Sequence, residues 1–189
     1  MNKSDREYLN FVEKVRKAFV FLSDLGFSEI EALPTLVRYR KGNVEVDIYH
    51  GRQSYEIGAG ITAFGTRYSI TEIIRANDLE VEKHFRYPIT TTPEGVVAGL
   101  EELSTLMKRY GRASLDGDPK YFQMLERQRE LWSKEYSLEV LARQLRPKAN
   151  QAFRQKDYVK AVELYSQFRG CLSLAEIKKL SIAKERCKD

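Results

Sequence analysis

Glu45, Asp47 and Glu56 are the residues whose types and spacing best suit chemistry. Glu45 and Asp47 alternate along one apolar–polar stretch, so both carboxylates project from the same face of a strand, and Glu56 follows within reach. Carboxylates crowded on one face raise one another's pKa and so supply a proton donor and an acceptor, with Arg38, Arg40 and His50 placed to bias them. Alternating charge is also what a solvated sheet face requires, and cross-strand ion pairing is the reading favoured here.

No further motif backs catalysis. The chain has no glycine-rich phosphate loop, no GxSxG, no HExxH and no EF-hand pattern. Its only histidines are His50 and His84, too few for a multi-histidine metal site. Cys171 and Cys187 have no CxxC or Cys/His spacing and read as idle thiols. Neither a metal nor a cofactor is expected.

Binding chemistry concentrates elsewhere. Arg143, Arg146, Lys148, Arg154 and Lys156 follow one another with no acidic residue between them, and Phe153 lies among them. Residues 1–111 hold 15 Lys/Arg against 16 Asp/Glu, whereas residues 112–189 hold 17 against 11, so the chain's basic character is C-terminal. Such a patch attracts an acidic partner through its summed field. It also suits phosphate contacts, although no recognised nucleic-acid module accompanies it.

The elements that position these residues begin with Ser4 and Glu7, spaced as a capping box. Tyr8, Phe11, Val12, Val15, Ala18, Phe19 and Leu22 follow at helical spacing and predict one helix up to Gly26. Alternation then predicts three strands from about residue 35. A two-residue type II′ turn at Gly42–Asn43 sets Arg40 opposite Glu45 and Arg38 opposite Asp47, with Tyr39 opposite Val46 and Val37 opposite Ile48 on the apolar face. A second tight loop at Gly51–Arg52 pairs Ile48 with Tyr55 and Val46 with Ile57, and places Asp47 against Glu56. Gly58 and Gly60 fall on the polar face and invite a close approach there.

Ser69 and Glu72 predict a capped helix over "ITEIIRA", and residues 81–87 read as a fourth strand. Thr92–Pro93 starts a helix with the stripe Val96, Leu100, Leu103, Met107 and Tyr110, which Gly111 ends. Asp118–Pro119 starts another, with Phe122, Leu125, Trp132 and Tyr136 on one face to about residue 136. Everything beyond reads helical, so "GRASLDGD", residues 111–118, marks a boundary between parts 1–111 and 112–189.

In "KANQAFRQKDYVKAVELYSQF" small residues Ala149, Ala152 and Ala161 are spaced with Phe153, Tyr158, Val162, Tyr165 and Phe168. Over about residues 143–187 this resembles a single tetratricopeptide-repeat unit followed by a capping helix opened by Ser173 and Glu176. The resemblance implies two antiparallel helices in close contact; Ile177, Leu180 and Cys187 of the last helix are placed to cover them, and Pro147, which is expected to interrupt the first helix, departs from the family's pattern. One unit alone cannot build the concave groove of a repeat array, which takes about three.

The sequence therefore predicts an α+β protein: a helix and a three- or four-stranded antiparallel meander packed with helices, then an all-α part. With no apolar signal-peptide core and no membrane span, it reads as cytoplasmic. The expected function is non-catalytic protein binding, as in an adaptor or a toxin-blocking immunity protein. A nucleic-acid accessory protein using residues 143–156 and an enzyme using the meander carboxylates are the alternatives.

Overall fold

Alternation from residue 36 onward produces the expected antiparallel sheet, in a computed structural model that describes residues 3–187, with side chains from residue 6. Five strands lie in sequence order: β1 Ser28–Leu33, β2 Leu36–Lys41, β3 Val44–His50, β4 Ile57–Ala63 and β5 Thr66–Ser69. The first hairpin has the predicted register throughout, including Arg40 with Glu45, Arg38 with Asp47 and Val37 with Ile48. Gly42 has φ 56° while Asn43 is not left-handed, as a type II′ turn demands.

The second hairpin departs from expectation. Val46 faces Ile61 and Ile48 faces Ala59, so β4 is displaced by four residues from the predicted register. The cause is a longer loop over residues 51–56, closed by Gly51 N–H donating to the Glu56 carbonyl at 2.7 Å and turned by Tyr55 at φ 55°. An even displacement keeps every side chain on its predicted face. Asp47 meets Gly60 instead of Glu56, which removes the like-charge contact.

Helices cover the apolar face. The predicted single N-terminal helix is three pieces: a 3-10 helix over Lys3–Leu9, α1 Phe11–Ala18 and α2 Val20–Asp24. Asn10, at φ 47°, supplies the first break, because asparagine tolerates the left-handed region. Phe11, Val15, Phe19 and Leu22 are buried as the stripe predicts, whereas Tyr8 is exposed. The Ser4 side chain, and with it the predicted capping box, lies outside the described residues.

Both remaining start signals in this part hold. Ser69 and Glu72 form a reciprocal capping box on α3, Ile70–Asn77. Residues 79–84 are a helix rather than the predicted fourth strand, since Asp78 accepts the Val81 N–H at 3.0 Å and opens α4, Leu79–His84. Thr92 caps α5, Pro93–Tyr110, whose stripe from Val96 to Tyr110 is buried.

The chain divides into two compact units, residues 1–127 and 128–189. The division does not fall in 111–118. That stretch forms α6, Arg112–Leu115, whose Leu115 joins Phe122 and Leu125 in the core of the first unit. The following helix, α7, runs over Pro119–Arg154, through Pro147 without a break and well beyond residue 136. Tyr136 is exposed and Trp132 half-buried, so the predicted stripe does not continue past Leu125 as a buried face.

The second unit is all-helical. Its core joins Ala142, Ala149 and Ala152 of α7 with Ala161, Tyr165 and Phe168 from α8, Tyr158–Gln167, and its edge, and with Leu180 and Ala183 of α9, Leu174–Arg186. α7 ends in a Schellman arrangement: Asp157 N–H reaches the Ala152 carbonyl at 3.0 Å and Lys156 N–H the Phe153 carbonyl at 3.1 Å, with Lys156 at φ 61°. Asp157 then caps α8, and Ser173 with Glu176 forms the predicted capping box on α9. Leu180 covers the pair as expected, but Ile177 and Cys187 are exposed.

Candidate functional site

The polar sheet face binds its own charges. Arg40 donates to Glu45 from Nε at 3.0 Å and from Nη2 at 2.6 Å, as the register predicts. Arg38, although paired in register with Asp47, swings to Glu31 on β1 at 2.8 Å. Asp47 is held instead by Arg67 of β5, which donates from Nε at 2.8 Å and Nη2 at 2.6 Å. This two-pronged geometry is among the stronger forms of ion pair, and Asp47 holds the Arg67 guanidinium further above its ordinary pKa.

Glu56 does not join the other carboxylates. It accepts the Tyr49 hydroxyl at 3.0 Å, and burial, then that bond and the charge on Glu56, push the Tyr49 phenol far above its usual pKa. Gly58 and Gly60 permit the close approach predicted for them, and the visitors are the chain's own side chains. A Cβ on Gly58 would stand 2.3 Å from the Tyr49 ring, and one on Gly60 would stand 2.5 Å from the Arg67 guanidinium. His50 lies on the opposite, apolar face, buried and bonded to the Thr90 carbonyl at 2.9 Å. Glu31, Glu45 and Asp47 on this face are thus each paired with an arginine, and Glu56 is bonded to Tyr49.

The basic run separates into structural and exposed cations. Arg146 donates from Nε to Glu176 at 2.8 Å and from Nη2 to the Cys171 carbonyl at 2.7 Å, tying α7 to α9 and the turn before it. The Arg146 side chain is 40% exposed and that of Glu176 only 6%. Burial pushes the Glu176 carboxyl up, but the Ser173 N–H and hydroxyl and the Arg146 charge outweigh it, so its pKa lies below the ordinary value.

One turn further along, Asn150 Oδ1 accepts both the Tyr165 hydroxyl at 2.9 Å and Lys179 Nζ at 2.6 Å. The successive contacts 146 to 176 and 150 to 179 make α7 and α9 run in the same direction. Phe153 is half-buried, edge-on to Tyr158 and 6.0 Å from Lys179 Nζ, so its ring serves the packing. Arg143, Lys148, Arg154 and Lys156 are exposed.

A feature that the sequence reading passed over is the outer face of α9. Glu176, Leu180 and Ala183 turn inward. On the other side Leu174 is 80% exposed, Ile177 50% and Ile182 45%, with Lys178, Lys184 and Arg186 exposed among them. The spacing signalled this for Leu174, which lies about half a turn round the helix from Ala183, whereas Ile177 sits three residues from Leu180 and reads as its neighbour on one face. Arg67 was missed for a different reason, since β5 lay outside the predicted meander.

Among the described residues no group of His, Cys, Asp and Glu could hold a metal ion, and no helix is long and apolar enough to cross a membrane. No protein-family model matches this chain, and no curated protein and no solved structure matches it either.

Proposed function

We propose that this chain is a non-catalytic protein-binding module whose second unit receives an acidic, amphipathic segment of a partner on the outer face of α9. The observation that carries this reading is the exposure of Leu174, Ile177 and Ile182 on that face. The solvent-facing side of an amphipathic helix normally carries polar residues. Three large aliphatic side chains on one short helix leave apolar area that docking a partner would remove from water, worth about 25 cal/mol per Å².

Charge selects the partner's sign. Residues 128–189 carry 14 Lys/Arg against 8 Asp/Glu, a net of +6, while residues 1–127 carry 18 against 19. Lys178, Lys184 and Arg186 outnumber the exposed Glu185 beside the aliphatic residues, so a segment with apolar anchors and flanking Asp or Glu is complementary in both respects. The test is selection of the full chain against a displayed library of helical segments. Enrichment of acidic amphipathic segments that Leu174→Glu no longer retains supports the reading. Enrichment indifferent to that substitution overturns it.

Nucleic-acid binding is the second reading, favoured by Arg143, Lys148, Arg154 and Lys156, which stand exposed in a stretch with no acidic residue. Four phosphate contacts imply a steep loss of affinity with salt, with a logarithmic slope of about −4 on duplex. An interface centred on aliphatic side chains is far less sensitive.

A further inference from the structure

Arg6 is a buried cation that contacts no carboxylate among the described residues. Its Nη1 donates to the Gly51 carbonyl at 2.8 Å and to the His50 carbonyl at 3.4 Å, and its Nη2 donates to the Arg52 carbonyl. The guanidinium lies over the Tyr55 ring, 4.7 Å from its centroid. The remaining partner is a side chain: Nη1 stands 3.0 Å from Nδ1 of His50. Arg6 is thereby the plug of the 51–56 loop, the same loop whose length displaces β4.

An arginine N–H only donates, so Nδ1 of His50 must accept, and the ring proton resides on Nε2, which donates to the Thr90 carbonyl at 2.9 Å. The neutral imidazole consequently joins three segments: the N-terminal 3-10 helix, the 51–56 loop and residues 88–92. It is almost wholly buried, stacked on Phe11 with centroids 5.9 Å apart and edge-on to Tyr55. Among the described residues that face it, only Arg6 is charged. Tyr55 and Phe11 contribute neutral rings, and Thr90 contributes its carbonyl.

We propose that the Arg6–His50 contact is a proton-operated latch: protonation of His50 at Nδ1 releases the N-terminal 3-10 helix from the 51–56 loop and leaves the His50–Thr90 bond in place. The protonated nitrogen is a donor facing a donor, and two cations then stand about 3 Å apart with no anion between them among the described residues. The Nε2 proton is unaffected by this change, so residues 88–92 keep their anchor. Arg6 is the mobile member because its hold consists of carbonyl bonds that water can replace.

Burial is the main influence lowering the His50 pKa below its ordinary value; the Arg6 charge adds to it, while the Thr90 and Tyr55 backbone bonds oppose it. The folded pKa therefore lies below the unfolded one. The latch contributes its full stability above about pH 6.5, the unperturbed histidine value, and loses it as pH falls from there through the folded value.

Hydrogen exchange of the full chain between pH 7.5 and 5, corrected for intrinsic rates, tests the latch. Protection in residues 6–9 and 51–55 falls by up to about tenfold per pH unit, the limit for a single proton, while residues 88–92 change little. In His50→Gln, whose amide accepts from Arg6 and donates to Thr90 without titrating, the same segments show no such dependence. Should that variant fail to fold, the imidazole resonances of Arg6→Met decide, because removing the cation moves the His50 titration upward. Protection that is flat across this range in the parent chain overturns the latch, as does an unchanged pH dependence in His50→Gln or an unmoved titration in Arg6→Met.

Discussion

Replacing Arg146 with Met separates a structural arginine from a partner-binding one. The substitution keeps most of the aliphatic stem and deletes two bonds, one to the buried Glu176 carboxylate at 2.8 Å and one to the Cys171 carbonyl at 2.7 Å. A hydrogen bond to a charged group contributes about 1.5–3 kcal/mol and a neutral one about 0.5–1.5. Because the Arg146 side chain is 40% exposed, solvent already screens the pair, and Glu176 keeps its bonds from Ser173. The loss should therefore lie near the lower end, about 2 kcal/mol.

For a chain of this size, melting as one transition, that is a fall in Tm of about 4–8 °C by circular dichroism. The acid limb is a second readout. Glu176 has a folded pKa below its unfolded one, so its contribution is present above the ordinary carboxyl value of about 4.3 and disappears as pH falls through the folded value. Arg146→Met should shrink the difference in stability between pH 7 and pH 3. A Tm within 1 °C of the parent, with the acid limb unchanged, refutes the structural role of Arg146.

Ala161→Trp should cost about 1–3 kcal/mol or more, because Ala161 is fully buried between the helices of the second unit. The neighbouring Lys160→Ala, on the exposed side, should stay within about 0.5 kcal/mol in the same denaturant melts. Gly58→Ala places a methyl group 2.3 Å from the Tyr49 ring and should destabilise by about 1–3 kcal/mol, with loss of the Tyr49–Glu56 bond visible as a lowered phenol pKa on alkaline titration. Lys156→Gly relieves a left-handed residue at the end of α7 and should raise Tm slightly, by the equivalent of about 0.5–1 kcal/mol.

The elements legible in the sequence are those whose signals are local. Ser69 with Glu72, Thr92 with Pro93 and Ser173 with Glu176 each fix a helix start through bonds spanning three residues. The Gly42–Asn43 hairpin was legible because turn chemistry and cross-strand pairing agree. The 51–56 loop was not, because its conformation depends on Arg6, some 45 residues earlier. The like-charge contact between Asp47 and Glu56 in the tight-loop register was the one local sign of error, and the longer loop removes it.

β1 escaped notice because it is an exposed edge strand with a bulge between Glu29 and Glu31, so neither burial nor alternation marks it. Residues 81–87 alternate like a strand, yet the Asp78 cap prevails over a stretch too short for periodicity to decide. Of the candidate site, sequence spacing placed the basic run in a helical stretch but could not show that Arg146 turns to Glu176 while Arg143 and Lys148 turn to water. That distinction requires α9, whose packing on α7 is a tertiary fact.

The most direct measurement of protein binding on α9 is the dissociation constant of the full chain for an acidic amphipathic helix from the displayed library, compared with Ile177→Glu at low and moderate salt. Ile177 is half-exposed, so the substitution spares the fold. Binding through α9 predicts a loss of at least tenfold, about 1.4 kcal/mol, in Ile177→Glu at either salt concentration. Equal affinities for the two proteins, or parent binding that collapses between about 50 and 200 mM salt as phosphate contacts do, would contradict it.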